Sequence, residues 1–186
     1  MGQPSVIVVG AGPAGLMAAE AAAQEGAAVT VVDQRRSVGR TLLLAVRSGL
    51  NLTHAEPLAA FLDRYGEGRE LVEPAIRAFP PDALRAWADE LGAATFVGSS
   101  GRVFPAAMRA TGLLRAWIRR LSDAGVAMLT GVAWRGFDDP AFEAYAVVLA
   151  LGGASWPSVG GDGSWVAAFD AAGIEVEPLR AANAGV

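Results

Sequence analysis

Three glycines near the N-terminus have the spacing of a phosphate-binding turn. Gly10, Gly12 and Gly15 form a G-x-G-x-x-G sequence that follows an apolar run and precedes an alanine-rich stretch. Such glycines allow a tight turn, a close approach of the backbone to a pyrophosphate, and close packing of a helix on a strand. The N–H groups at the start of the helix then hold the phosphate charge. The residues therefore predict a dinucleotide site, with Pro13 and Ala14 in its turn.

An acidic residue follows at the position where a bound dinucleotide needs one. Asp33 comes directly after the second apolar run, Ala28 to Val32, and its carboxylate would be available to the hydroxyls of an adenosine ribose. A lone G-x-G-x-x-G is a weak signal, because a glycine turn can simply pack well. The combination of strand, turn, helix and acid makes dinucleotide binding the favoured interpretation. An NAD-only dehydrogenase or a methyltransferase with the same turn is the less favoured alternative.

The elements that must position these residues indicate an α/β fold built around a parallel sheet. A β-branched strand, a helix ended by Gly26 and a second strand give a βαβ start. Strands are predicted at Ser5 to Val9, Ala28 to Val32, Val126 to Thr130 and Ala146 to Leu151, with a hairpin within Thr95 to Phe104 and a strand-like end at Ile174 to Leu179. Helices are predicted at Pro13 to Glu25, Glu56 to Tyr65, Glu70 to Phe79, Ala83 to Leu91, Thr111 to Ala124 and Ser164 to Ala172.

The composition excludes several kinds of chemistry. The 186 residues include no cysteine and one histidine, His54, so thiolate and cysteine metal sites are excluded and a Ser-His-Asp triad is disfavoured. The net charge of −4 gives no general attraction to DNA or to an anionic membrane. The uncharged run Val6 to Ala19 lacks a basic leader and is too short to span a bilayer, so we expect a cytoplasmic protein.

Later in the chain, two glycine turns follow apolar segments. Ala150, Leu151 and Gly152 end the run AYAVVLALGG, which resembles the Ala-Thr-Gly signature that returns the chain to the cofactor in flavoproteins with two dinucleotide domains. Val132 follows the other turn, where it would offer backbone hydrogen bonds to adenine or belong to an ordinary turn. Asp162, within the sequence GGDG, is a further cofactor candidate, or else a cap of the next helix.

The form of the first turn favours FAD over NAD. Gly-Ala-Gly-Pro-Ala-Gly, with Pro13 at the start of the helix, resembles the FAD version of the fingerprint, although Glu is more usual than Asp33 in FAD families. Taken in order, the segments GAGPAGLMAA, VGRTLL, GLNLTH, SSGRVFPAAMRA, LGGASWP and GGDG resemble the bacterial HI0933-like flavoproteins. The resemblance covers essentially the whole chain.

This resemblance implies an FAD-dependent oxidoreductase with a Rossmann-like FAD domain. Gly39 and Arg40 would lie at the pyrophosphate, and the flavin itself would carry the electron chemistry, so no catalytic residue is assigned. NAD(P)H would be the electron source. Members of the family have been connected with the reduction of carbon–carbon double bonds in steroid-like enones and in uridine of ribosomal RNA, so a small molecule and an RNA both stay open as substrates.

The shift in pattern along the chain predicts two domains. Residues 1–34 and 125–186 are predicted to form the FAD-binding Rossmann-like domain, and residues 35–124 a cofactor-contacting loop with a mostly helical insertion and a hairpin. Family members continue beyond the point where this chain stops, so the resemblance implies a truncated chain that lacks the C-terminal part of the family fold. A catalytically inactive fragment that retains a dinucleotide-binding module is therefore the alternative to an active enzyme.

Overall fold

The computed structural model describes residues 2–44, 49–155 and 157–180. In chain order, the strands of this part are β1 (Ser5–Val9), β2 (Ala28–Asp33), β3 (Thr53–His54), β4 (Thr95–Val97), β5 (Arg102–Pro105), β6 (Ala127–Thr130) and β7 (Ala146–Leu149). The α-helices are α1 (Pro13–Gln24), α2 (Arg40–Leu43), α3 (Leu58–Asp63), α4 (Arg69–Ala78), α5 (Pro81–Glu90), α6 (Ala110–Asp123) and α7 (Val166–Ala171). Short 3-10 helices occur at Gly66–Gly68, Pro140–Phe142 and Pro157–Val159.

The chain divides into two compact units. The first unit combines Met1–Thr41 with Arg119–Val186, and the second is Leu42–Ile118. The sequence analysis drew its boundaries at residues 34 and 125. The assignment of one piece as the FAD-binding domain and of the other as an insertion stays a prediction.

A parallel sheet forms the centre of the first unit. Its strand order is β6-β2-β1-β7, and Val8 of β1 lies beside Val31 of β2 and Val148 of β7. The β-branched side chains suit a strand that is covered on both faces, and Val8 and Val31 are almost fully buried. Helix α1 packs its Leu16 and Ala19 side chains into the same core. The predicted Rossmann-like α/β fold with a parallel sheet is confirmed.

The second unit contains a small antiparallel sheet and several helices. The strand order is β3-β5-β4, and the hairpin expected within Thr95 to Phe104 is formed by β4 and β5. Trp87 of α5 and Trp117 of α6 meet edge to face, with ring centroids 4.7 Å apart, in its buried interior. Aromatic pairs favour this arrangement because the positive ring edge meets the negative ring face.

Two local features differ from the sequence-based expectations. Residues 174–177 alternate apolar and acidic side chains, but the structure describes no strand within residues 174–179, so the prediction of a strand-like end was wrong. An alternating pattern forms a strand only where a neighbour accepts its backbone hydrogen bonds. Conversely, the helix α2 and the strand β3 lie in a stretch of the chain for which we predicted neither a helix nor a strand.

Direct backbone contacts fix the turn after β1. Gly10 has a φ of +106°, and a Cβ atom at this position would lie 2.2 Å from the carbonyl oxygen of Ala150. A Cβ atom at Gly15 would lie 1.8 Å from the carbonyl oxygen of Gly10. Contacts this short leave no room for a methyl group. The start of α1 can therefore approach β1, and the chain after β7 can approach both, only because these two residues are glycine.

We predict that Gly15→Ala lowers the free energy of unfolding by about 2 to 3 kcal/mol, because its methyl group forces the helix away from a backbone oxygen. Gly112→Ala is the matched control, since Gly112 is also helical and an added Cβ there has nothing within 4 Å. The control should raise stability by about 0.5 to 1 kcal/mol. Urea denaturation followed by circular dichroism measures both values. Equal stability of G15A and the wild type would contradict this view of the turn.

Candidate functional site

A cavity of about 960 Å³ lies at the carboxyl ends of the parallel strands of the first unit. Parallel strands bring their carboxyl ends to one edge of a sheet, which is where open α/β sheets bind ligands. Most of the residues proposed from the sequence line this cavity: Gly10, Gly12, Pro13, Ala14, Asp33, Arg40, Val132, Ala150, Leu151, Gly152 and Asp162. The fold therefore brings together residues from four separate stretches of sequence.

Gly12 leaves space beside the first turn of α1. It is the N-cap residue of the helix, with Pro13 at the first helical position and no side chain that caps the helix N–H groups. A Cβ atom at Gly12 would meet only Thr41 Oγ1, at an ordinary contact distance of 3.6 Å. The packing of the described protein thus does not require glycine here. A methyl group at Gly12 would therefore stand beside the cavity that this residue lines, at a helix start where the N-cap residue provides no side-chain acceptor.

Gly15 and Gly39 are the two proposed residues that do not line the cavity. Gly15 lies against the carbonyl group of Gly10, as described above. Gly39 has a φ of +66°, and its amide donates a hydrogen bond of 2.8 Å to the carbonyl oxygen of Ala11. Both glycines therefore hold the turn in place and do not face the cavity.

Asp33 ties the turn after β1 to the chain after β2. Its Oδ2 atom accepts a hydrogen bond of 2.8 Å from the Ala11 amide, and its Oδ1 atom accepts one of 2.7 Å from the Arg35 amide. A carboxylate has about four acceptor positions, so each oxygen can still accept from a second donor. These two hydrogen bonds fix the Asp33 carboxylate in the wall of the cavity. Its contact with a ribose stays a prediction.

Val132 offers less to a ligand than the sequence suggested. Its amide donates a hydrogen bond of 3.0 Å to the carbonyl oxygen of Asp33, so this N–H group is used within the protein. The preceding residue, Gly131, donates in the same way to the carbonyl oxygen of Arg35. Of the backbone hydrogen bonds to adenine that we expected from Val132, one to its carbonyl group stays a prediction.

Aromatic side chains form a wall of the cavity that the sequence analysis did not assign to the site. Trp165 donates its indole N–H to the carbonyl oxygen of Gly152 at 3.0 Å and meets Phe169 edge to face at 5.1 Å. Phe169 also contacts Trp134, with ring centroids 6.1 Å apart. All three rings line the cavity. A tryptophan shortly after each glycine turn was the available signal, but it equally fits ordinary core packing.

Three arginines line the cavity, Arg35, Arg40 and Arg135, and the first two donate to backbone carbonyl groups. Arg40, which was proposed from the sequence, donates to the carbonyl oxygen of Ser158 at 3.4 Å, and Arg35, which was not, donates to the carbonyl oxygen of Pro157 at 3.5 Å. Both bonds are near the upper limit for a hydrogen bond. Within residues 2–44, 49–155 and 157–180, neither guanidinium group has an ion pair with an acid.

Asp162 accepts two hydrogen bonds from one neighbouring residue. The Ser164 hydroxyl donates at 2.7 Å and the Ser164 amide at 3.0 Å to the same Oδ1 atom. The hydroxyl contributes most to a lowered pKa of the Asp162 carboxyl, followed by the amide, and the positive charge of Arg35 adds to the effect. The bonds close a turn that precedes α7, which begins at Val166, so Asp162 does not cap that helix directly.

His54 belongs to the second unit and does not line the cavity. Its Nε2 atom lies 2.9 Å from the carbonyl oxygen of Ser100, and its Nδ1 atom lies 3.2 Å from Glu56 Oε1. Arg64 also binds the Glu56 carboxylate, and this contact, more than the neighbouring His54, lowers the pKa of Glu56. The histidine thus joins β3 to the turn of the β4–β5 hairpin.

We predict that Ser164→Ala raises the pKa of Asp162 towards its ordinary value, because the strongest donor to the carboxylate is removed. The measurement is a titration of the side-chain carboxyl carbon of Asp162 by nuclear magnetic resonance. A folded-state pKa that is lowered stabilises the fold above the unfolded-state value, and this contribution is lost as the pH falls through the folded value. S164A should therefore reduce the acid sensitivity of the turn. An unchanged Asp162 pKa in S164A would show that the hydroxyl contact is not formed.

Comparison with known proteins identifies the family. The family model of the HI0933-like protein Rossmann domain matches residues 4–185. The chain belongs to this family. The match confirms the resemblance found in the ordered sequence segments. No curated protein sequence matches this HI0933-like chain. Within the described part of the chain, no helix is long and apolar enough to cross a membrane.

Several solved structures are similar to this HI0933-like chain. The apo Sdh1 complex of Mycobacterium smegmatis superimposes with a TM-score of 0.55 at 22% identity, over 83% of this chain and 35% of that chain. A flavocytochrome c3 fumarate reductase in its open conformation gives 0.47 at 21% identity, over 81% and 34%. Thermovibrio ammonificans THI4 gives 0.45 at 20% identity, over 70% and 38%. The chain thus spans between a third and two fifths of the length of these three proteins.

Proposed function

We propose that this chain is the FAD-binding part of an FAD-dependent oxidoreductase of the HI0933-like family. The observation that carries the proposal is the space beside Gly12, at the uncapped start of α1 and inside the cavity. A diphosphate suits this position because the backbone N–H groups and the helix dipole both favour negative charge. Membership of the family and the likeness of the motifs to the FAD fingerprint favour FAD over other dinucleotides.

The residues that line the cavity fit such a cofactor. Its volume of about 960 Å³ is near the upper end of the range of roughly 300–1,000 Å³ that small-molecule and cofactor sites occupy. Gly12 and Ala14 would hold the diphosphate, Arg40 would add positive charge near it, and Asp33 would accept from ribose hydroxyls. The carbonyl group of Val132 would face adenine.

When bound, FAD supplies the hydride or electron transfer, so the protein needs no acid, base or nucleophile of its own for that step. The chain's own residues would bind and orient the cofactor. Trp134, Trp165 and Phe169 would keep water from the side of the cavity that they line, since they present apolar rings to it. NAD(P)H as the reductant, a carbon–carbon double bond as the group reduced, and a cytoplasmic location complete the proposal.

A dinucleotide-binding module without turnover is the second candidate function. The observation that favours it is that both acids lining the cavity, Asp33 and Asp162, are already bound by donors of the protein. Among the described residues, the cavity thus supplies groups that bind a ligand, and a module without turnover requires no others. Addition of NADPH or NADH to the protein with bound FAD distinguishes the two functions. Loss of the visible absorbance of the flavin without oxygen favours the oxidoreductase, and retention of that absorbance with both nucleotides favours the module.

We predict that Gly12→Ala weakens FAD binding by at least about tenfold, because the methyl group occupies space that a diphosphate would need. The free energy of unfolding should change by less than about 0.5 kcal/mol, since the added Cβ meets no protein atom closer than 3.6 Å. Fluorescence titration with FAD and urea denaturation provide the two values.

Gly68→Ala is the control for this prediction. Gly68 lies in the second unit, outside the cavity, and an added Cβ there has nothing within 4 Å. G68A should bind FAD as the wild type does. Wild-type affinity for FAD in G12A would contradict the placement of the diphosphate beside Gly12, and a wild-type protein that takes up no FAD would contradict the function itself.

A further inference from the structure

The side chain of Arg35 has a buried donor for which the described part of the chain provides no acceptor. Its Nε atom is shielded from solvent, and within the described residues this atom has no hydrogen-bond partner. Arg35 nevertheless lines the cavity. Buried polar groups are almost always paired, and leaving one unpaired costs about 1–3 kcal/mol. Each such exception in a native protein therefore calls for an explanation, and a bound water, ion or ligand is one such explanation.

The backbone of Arg35 is fixed from two sides, so its side chain starts from a defined place. Its amide donates to Asp33 Oδ1 at 2.7 Å, and its carbonyl oxygen accepts from the Gly131 amide at 3.1 Å. The residue is thereby held between the end of β2 and the turn after β6. This is the end of the cavity where Asp33 and Val132 would meet the adenosine of a dinucleotide.

The far end of the Arg35 side chain also contacts the protein, and these contacts restrict the position of Nε. Nη2 donates to the carbonyl oxygen of Pro157 at 3.5 Å, and Gly160 packs so closely that an added Cβ would lie 3.3 Å from Nε. Asp162 is near enough for the charge of Arg35 to act on it but does not form an ion pair with it. A ligand in the cavity that Arg35 lines could supply the acceptor that Nε lacks among the described residues.

We propose that Arg35 binds the AMP half of the dinucleotide, with its Nε–H group donating to an oxygen atom of the ribose or of the adjoining phosphate. This inference rests on the proposed function, because it takes the ligand of the cavity to be FAD. Arginine suits the role because it stays charged and presents N–H groups in a fixed plane. The residue then sets the preference of the site for adenine dinucleotides over the flavin mononucleotide.

The test compares Arg35→Gln and Arg35→Lys with Arg36→Gln. Gln removes the charge, Lys keeps the charge but lacks the Nε–H group, and Arg36 is an exposed neighbour that does not line the cavity. Affinities for FAD, ADP, adenosine and FMN are measured by calorimetry on the whole chain. The urea midpoint of each variant establishes that it is folded.

We expect both Arg35 variants to bind FAD and ADP about tenfold or more weakly, by the same factor for the two ligands, because a hydrogen bond to a charged group is lost. FMN affinity should not change, and R36Q should bind all ligands as the wild type does. If the Arg35 variants also bind adenosine more weakly, the acceptor is an oxygen atom of the ribose. If their affinity for adenosine does not change, the acceptor is an oxygen atom of the phosphate.

Wild-type FAD affinity in R35Q or in R35K would overturn the role of Nε, as would an equal loss for FMN and FAD. These results differ from a failure of the proposed function. A wild-type protein that binds ADP through Arg35 but takes up no FAD would contradict FAD as the ligand and support the Arg35 contact. A wild-type protein that binds neither ligand would refute both.

Discussion

The close approach of backbone at two glycines is the constraint on which the cavity depends. Gly15 lies under the carbonyl group of Gly10, and Gly10 lies under that of Ala150, so the starts of three loops converge at the edge of one sheet. Any side chain at either glycine would separate α1 from β1 or β1 from the chain after β7. The first turn of α1 could then no longer face the same cavity as the residues that follow the other strands.

Packing and ligand binding are carried by different members of the glycine motif. Gly10 and Gly15 are required by protein atoms, whereas the space beside Gly12 belongs to the cavity. The same division applies to the polar groups. Asp33 is committed by its hydrogen bonds to two backbone amides, while Arg35 retains a buried donor that has no acceptor among the described residues. A bound dinucleotide would supply such an acceptor.

The elements that could be predicted from the sequence are those whose signals lie within one short stretch of the chain. The strand β1, the turn, α1 and β2 follow from a β-branched run, glycine spacing and a terminal Asp33, all of which are signals within one short stretch. The features that sequence reasoning missed depend on distant partners. Arg35 is 122 residues from Pro157, the carbonyl of which holds its side chain, and no local pattern reports such a contact. The strand-like end predicted at residues 174–179 is the opposite case. The local pattern was present, but the structure describes no neighbouring strand that pairs with it.

The most direct test of the central claim, that the start of α1 holds the diphosphate of FAD, is an amide spectrum of the isotopically labelled protein during titration with FAD. We expect the largest chemical-shift changes at the amides of Gly12 and Ala14, which line the cavity, because a diphosphate would accept hydrogen bonds from the first turn of the helix. FAD that binds while these two amides keep their positions in the spectrum would contradict the account.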